Sequence, residues 1–528
     1  MKTIAFLSAL LFAMPAIAQP PATYRIAGTV VDSVSGRPLS KTRVLLETTA
    51  GSRAPIATYV TGQDGRFVFA GLSAAKYSLA AERQGYPLQG LDRHDQYATA
   101  VAVGTNLDSE SIVFHLLRSA SIDGRVTDDA DEPQRGVSVL IFMVDNFSGT
   151  TFTRLLRTIQ TDDLGIYHAQ GLLAGRYFVA VSAEPWFRRE GQNRFGMIDE
   201  TSSVLDVSYP VTFFPGVTDW HAAAPINLKF GQRVTADVPL RAVHSIHVRL
   251  SYNERRPPQD VRVLSRVFNA PEAPVPFNRR YVDGALQLVL APGHYTLEVS
   301  PAQESKFRAD VDWNGDLSLT SDELAAAPHT AAVSGAIKFD GDIPDGVKPQ
   351  LALLNVGTRA PVFAPIDADG NFTFPQPLPL GTYEAHIARS TDFWVWGISA
   401  AGGTVNGTRV AIDSPGAVRL SVVATRSVGN VDGVVTLNDK PKAGSMVVLV
   451  PQNEADTALY RRDQSDSDGT FTLRSVLPGD YVLLALDNWE VEWSRPEVIR
   501  RYLAAGQRIH VSGDNAPKVS VQVQPVGQ

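Results

Sequence analysis

The stretch Asp466 to Tyr481, DSDGTFTLRSVLPGDY, decides the fold. It reads as turn, strand, turn, strand. Asp468-Gly469 is a turn pair, because Gly tolerates positive φ and the Asp side chain can cap its own backbone. Phe471 and Leu473 alternate with Thr472 and Arg474, the period of a half-buried strand. Leu477-Pro478-Gly479-Asp480 reads as a type II turn, with Pro at its second position and Gly at its third. Tyr481 then opens YVLLALD, apolar on both faces, as expected of a central strand.

The unit recurs along the chain. In the first copy Gly28 lies in RIAGTVVD, ahead of Asp64-Gly65-Arg66-Phe67, Gly71-Leu72 and Tyr77. The second has Gly124 in SIDGRVTD, then Asp163-Leu164-Gly165-Ile166-Tyr167, Gly171-Leu172 and Gly175-Arg176-Tyr177. The fourth has Gly335, Asp369-Gly370-Asn371-Phe372 and Gly381-Thr382-Tyr383, and the fifth has Gly433 ahead of the opening stretch. The third is degenerate: SIHVRL lacks the strand Gly, but Asp283-Gly284 and Pro292-Gly293-His294-Tyr295 remain. From turn Gly to strand Tyr the spacings are 12, 12, 11, 13 and 12 (65→77, 165→177, 284→295, 370→383, 469→481). From strand Gly to turn Gly they are 37, 41, 35 and 36 (28→65, 124→165, 335→370, 433→469). Two spacings held so nearly constant mark a structural repeat.

The chain has 528 residues, too many for one core, with 41 Gly and 34 Pro to supply turns. Residues 1–18 read as a secretory signal: Lys2, an apolar run from Ile4 to Met14, and Ala16-Ile17-Ala18 before Gln19. The remaining 528 − 18 = 510 residues give 102 per copy, a common size for a β-sandwich. The expectation is an all-β tandem array of about five sandwich modules: 19–118, 119–243 with an extra interdomain segment, a degenerate 244–330, 331–427 and 428–528. Junctions such as Leu117 to Ile122 are short, which predicts a semi-rigid string. A net charge of −7 without a basic stripe argues against nucleic acid, and the absence of Cys excludes disulfides and thiolate metal sites. No apolar run reaches the length of a membrane span.

These motifs resemble the carboxypeptidase regulatory-like domain, a transthyretin-like sandwich grouped with carbohydrate-binding-like folds. Copy one carries the resemblance in Gly28-Thr29-Val30, Pro38-Leu39, Val44, Asp64-Gly65-Arg66-Phe67 and Tyr77, with Ala74-Ala75 in place of Pro-Gly. Copy five carries it in Gly433-Val434-Val435, Pro441, Val447-Val448-Leu449, Asp468-Gly469-Thr470-Phe471 and Leu477 to Tyr481. The resemblance implies a fold and no ligand site, because its motif residues serve turns and cores.

The ten histidines include none with Glu three residues on, and neither a Gly-x-Ser-x-Gly elbow nor a phosphate-binding Gly-x-x-x-x-Gly-Lys loop occurs. His244 and His247, three apart in a strand, are expected on opposite faces. One stretch has metal character: Asp310, Asp312, Asn314 and Asp316 follow the first half of a calcium loop, but Ser321 stands where its bidentate Glu belongs. The alternative for it is an Asn314-Gly315 hairpin. Aromatic side chains recur after the Tyr strand: Tyr86, Trp186 with Phe187, Trp394 with Trp396, and Trp489 with Trp493. Such rings can stack on sugars, or can seal one module against the next. The sequence therefore reads as a non-catalytic, secreted or periplasmic binding protein. Carbohydrate is the first ligand to test. A structural or protein-docking scaffold at the cell surface is the alternative, and an accessory part of a hydrolase system is a third.

Overall fold

The computed structural model describes residues 23–49, 54–146, 148–185, 206–251, 260–265, 267–268, 273–275, 277–282, 284–300, 307–320, 330–357, 360–390, 392–512 and 518–524. Regular structure in them is almost entirely β, with one α-helix, Pro496–Leu503. The signal-like residues 1–18, Trp186 and Phe187 lie outside the described residues.

Every module repeats one topology. Its opening strand is flanked antiparallel by the Asp-Gly strand and parallel by its closing strand. In module one Tyr24–Asp32 lies between Arg66–Leu72 and Ile112–Leu116. The corresponding opening strands are Ala120–Thr127, Ile246–Ser251, Thr330–Asp340 and Gly429–Leu437, with parallel closing strands Arg233–Thr235, Leu317–Thr320, Gly416–Thr425 and Lys518–Gln524. A parallel pair needs a crossover, and the intervening chain supplies it as a second sheet. In module one that sheet runs Ala57–Val60, Arg43–Thr48, Ala75–Arg83 and Tyr86–Gly90, with Ala100–Val103 also on the third strand. Apolar clusters fill the space between the two sheets in each module. In module five Gly479–Leu486 pairs with the closing strand through Ala485 and Val523, which joins both halves into one eight-stranded sheet. Tyr481, Leu483 and Ala485 face its core, while Leu484 and Leu486 enter a second cluster with Met446, Val448, Trp493 and Ile499. This explains why YVLLALD is apolar on both faces.

The strand glycines have a steric cause. A Cβ on Gly28 would stand 2.2 Å from the Ile112 carbonyl oxygen and 2.9 Å from the Phe67 ring, and one on Gly335 would stand 1.9 Å from the Leu420 oxygen and 2.8 Å from Phe372. In each case the aromatic two residues beyond the turn Gly pairs directly with the strand Gly: Gly28 with Phe67, Gly124 with Tyr167, Gly335 with Phe372, Gly433 with Phe471. Module three solves the same volume differently. There Leu250 pairs with Leu286, both buried, so two leucines replace a glycine and an aromatic ring.

The Asp-Gly turn glycines, 65, 165, 284, 370 and 469, all have φ between +70 and +83°. The Leu-Pro-Gly segment is not a type II turn. Gly479 has φ +156°, close to extended, and already opens its strand. The left-handed residue of that connection is Ser475, at φ +54°, which aligns with Gly71 and Gly171. The repeated Tyr is a local clamp. Tyr77, Tyr177, Tyr295, Tyr383 and Tyr481 each donate a hydroxyl hydrogen bond to the carbonyl four residues upstream, at 2.7–3.1 Å. A buried Phe would leave that carbonyl without its partner.

The modules do not form an open string. Module five folds back on modules one and two, through contacts between residues more than 340 positions apart.

Candidate functional site: the docking face of module five

The strand Arg461–Gln464 is the edge of the module-five sheet beside Met446–Pro451. Its alternation sends Arg462 and Gln464 to one face. That face meets the segment Asp92–Val103 of module one. The Arg462 side chain, 2% exposed, pairs with Asp95 at 2.9 Å and lies over the rings of Tyr97, Trp489 and Trp493, 4.9–5.4 Å from their centroids. A guanidinium suits this place because it stacks on aromatic faces while its edge hydrogen-bonds. Gln464 donates to the Asp92 carbonyl at 2.9 Å and to Thr99 at 2.8 Å, and His94 lies against its amide oxygen at 3.1 Å. His94 also stacks on Trp489, centroids 4.5 Å apart and planes within 5°.

Beyond Gln464 the chain acts as a strand mimic. Ala100 donates its amide to Asp466 Oδ1 at 3.0 Å, Ser467 returns its own amide to the Ala100 carbonyl at 2.9 Å, and Ala102 donates to Ser467 Oγ at 2.8 Å. The edge of Ala100–Val103 is thereby covered, as an exposed sheet edge needs to be. Lys76 reaches across to Asp466 at 2.5 Å and Thr470 at 2.6 Å. Burial pushes the carboxyls of Asp463 and Asp466 up, Asp463 to about 6, while Lys76 pulls both partly back. On the far side the loop before Pro496 grips module two: Thr151 donates to Glu492 at 2.8 Å, Ser494 donates to the Ser148 carbonyl at 2.9 Å, and Asn146 donates to the Trp489 carbonyl at 3.2 Å.

Other junctions are equally specific. Between modules four and five, Thr408 donates to Asp456 at 2.9 Å and Thr457 to Glu384 at 2.8 Å, with Arg409 beside both Glu384 and Thr457. Burial acts to raise the Glu384 carboxyl, but hydrogen bonds from His386 and Thr457 and the nearby His386 and Arg409 charges hold it down to about 2. Between modules two and three, Phe268 sits among Phe142, Phe178, Phe213 and Trp220.

The residues singled out from sequence separate into three groups. Trp489 and Trp493 belong to the docking face, where His94 and Tyr97 lie against the Trp489 ring and Arg462 lies over both rings. Trp394 and Trp396 lie on Trp394–Ala401, an edge strand of module four. Phe393 and Val395 enter the core, Trp394 is half-buried, and Trp396 stands 55% exposed at a register shift. Asp310, Asp312, Asn314 and Asp316 do not form a hairpin. Phe307–Trp313 pairs with Gly293–Ser300 in one sheet and Leu317–Thr320 with Ile246–Ser251 in the other, so Asn314-Gly315 is a crossing between sheets. There Asp312 contacts His294 at 2.7 Å, and Asp316 accepts the His247 amide at 2.8 Å. Among the described residues no group of three or more His, Cys, Asp or Glu side chains is arranged to hold a metal ion. His244 and His247 share a neighbour rather than opposing each other: both imidazoles reach Asp206, at 3.6 and 3.3 Å, because the strand breaks at Ser245.

Arg462, Gln464, Asp466 and Lys76 escaped the sequence reading. Their signal was there: Arg461-Arg462-Asp463-Gln464 is polar throughout, where a half-buried strand should alternate.

Residues 25–104 match the model of the carboxypeptidase regulatory-like domain. This span holds module one except its closing strand. No curated protein matches the chain. Among solved structures, the Bacillus anthracis TIE protein is 11% identical over 77% of this chain and 75% of its own, with a TM-score of 0.19. The full-length major pilin RrgB from Streptococcus pneumoniae is 9% identical over 94% and 99%, with a TM-score of 0.17. GBS52, the minor pilin of Streptococcus agalactiae, is 13% identical over 42% and 96%, with a TM-score of 0.21. Similarity at this level bears on neither ligand nor partner.

Proposed function

We propose that this chain is a non-catalytic scaffold of secreted or cell-surface type, whose five sandwiches are fastened into one closed body. The observation that supports it is the docking face: Arg462 and Gln464, both buried, find partners in module one. Interfaces built on desolvated, hydrogen-bonded charges discriminate strongly between right and wrong partners. A module that served only as a spacer would have no use for one. The test is small-angle scattering on the parent and on Arg462→Ala. The scaffold reading expects a compact parent and a larger radius of gyration in the variant, with each module still folded. Equal radii would remove its basis.

A second reading keeps polysaccharide as a ligand, at module four alone. The observation that favours it is Trp396, which presents its ring to solvent from a strand edge. Flat indole surface with a polar handle suits a sugar ring. Retention of the mature protein on cell-wall polysaccharides, with Trp396→Ala as the control, tests this reading without disturbing the docking face.

A further inference from the structure

The outer face of one module-four sheet differs from its counterparts in other modules. In this sheet Thr330–Asp340 lies between Asn371–Thr373 and Gly416–Thr425, with Trp394–Ala401 at the edge. Val333, Ile337, Val418, Leu420 and Val422 fill its inner face, so the alternate residues face solvent. There Lys338 stands in register with Val423, and Ser334 with Arg419. Trp396 is inserted between Val395, which pairs with Ala424, and Gly397, which pairs with Val423, and it stays outside the core. At the usual strand spacing Lys338 lies about 10 Å across the sheet from Gly397, and Arg419 about 13 Å along it from Val423. Ala332, Ala336, Ala417 and Ser421 are small and exposed, which leaves the face flat. On the corresponding faces of modules one and two the cations are paired: Arg25 with Glu110 at 3.8 Å, Arg66 with Asp64 at 3.9 Å, and Arg233 and His168 with Asp123 at 2.7 and 2.6 Å. The residue before the strand Gly makes part of the difference. It is Asp123 in module two and Asp432 in module five, where it lies opposite Lys518. In module four it is Ser334, so Arg419 faces a hydroxyl instead of a carboxylate. Among the described residues neither Lys338 nor Arg419 has an ion-pair partner. The carboxylate at the end of the face, Asp340, accepts from Thr425 at 3.1 Å.

We propose that this face of module four binds an acidic polysaccharide, with Trp396 against a sugar ring and Lys338 and Arg419 against its carboxylate or phosphate groups. The proposal rests on the second reading above and names the class of sugar chain it requires. An indole offers stacking surface without regard to charge, so the charge preference comes from the two cations. Lacking counter-ions of their own, they are free to meet anionic groups, and complementary charge selects between ligands more than it adds affinity. A flat, open face suits an extended chain, whereas a small molecule needs a concave pocket. The chain as a whole carries a net charge of −7 and repels a polyanion. Retention of one would therefore have to come from a local surface such as this.

Affinity electrophoresis of the full chain through gels holding polygalacturonate, a phosphomannan or neutral hydroxyethyl cellulose tests the site. The expected result is retardation by at least one acidic polymer, stronger than by the neutral one. The polymer that is held tells carboxylate from phosphate. Trp396→Ala should weaken retardation about tenfold, and Lys338→Ala and Arg419→Ala about two- to fivefold each. Ser334→Asp sets beside Arg419 the carboxylate that modules two and five carry, and should weaken it at least as much as Arg419→Ala, with the melting temperature unmoved. Arg66→Ala removes a paired cation of module one and should leave retardation as in the parent. Retardation by the neutral polymer that is lost in Trp396→Ala but unchanged in the cation variants would overturn the acidic ligand and keep the Trp396 reading. No retardation by any of the three polymers would overturn both. A loss in Arg66→Ala equal to that in Arg419→Ala would show unspecific attraction and overturn the site.

Discussion

Two tryptophan pairs follow equivalent strands in modules four and five and end in opposite surroundings. Trp394 and Trp396 continue directly into an edge strand, where alternation sends Phe393 and Val395 inward and leaves Trp396 in solvent. Trp489 and Trp493 fall in the connection before Pro496–Leu503, which modules one and two cover. Both pairs look alike as sequence. The difference is made by which neighbour arrives: among the described residues, His94 stacks on Trp489 from module one, while Trp396 stands 55% exposed. An aromatic side chain after the Tyr strand is thus a site of contact whose occupant is decided elsewhere in the molecule.

The contrast is broken most directly by truncation. Trp493→Ala should cost about 3–5 kcal/mol of stability, the usual range for a buried Trp, while Trp396→Ala should stay within about 0.5 kcal/mol. Chemical denaturation of both variants checks this, and equal losses would mean that exposure does not separate the two pairs. Next in size is Arg462→Ala, which strips Asp95 of its partner and three rings of their cation. A loss of about 1–3 kcal/mol is expected, concentrated in the junction, so exchange at 97–104 should speed up before the cores of either module loosen. Smaller again is the effect on ligand. If Trp396 serves polysaccharide, Trp396→Ala should lower retention by roughly 1–3 kcal/mol in binding free energy, the range for ring stacking on a flat ligand, with the melting temperature unmoved. Retention that instead depends on Trp489 would reverse the comparison. The smallest effect should come from limited proteolysis. Cuts near residues 119, 244, 331 and 428 are expected to release pieces of about 100 residues or their multiples. Arg462→Ala should speed those near 428 more than those near 244. Cuts between a turn Gly and its Tyr would count against the module boundaries.

Particular residues show how far the sequence could be read. Gly65, Gly165, Gly284, Gly370 and Gly469 announce their turns, because few residues other than Gly accept their positive φ. The strand Gly and the following aromatic announce each other, since the ring occupies the space a Cβ would need. Gly479 misled, because Leu-Pro-Gly looks like a type II turn and here begins a strand, with the left-handed step four residues earlier at Ser475. Asn314-Gly315 misled for a similar reason: a turn dipeptide does not say whether the two strands it joins lie in one sheet or in two.

What this sequence determined by itself is therefore local and periodic: the strands, the tyrosine clamps, the turn glycines and the number of repeats. Each depends on residues within about one module, where spacing along the chain stands in for distance in space. The closing of module five onto modules one and two was left to the tertiary structure. Lys76 and Asp466 are 390 positions apart, and no period links Arg462 to Asp95 or His94 to Trp489. Those pairings arise from how folded modules stack, and stacking depends on surfaces that exist only after each core has formed.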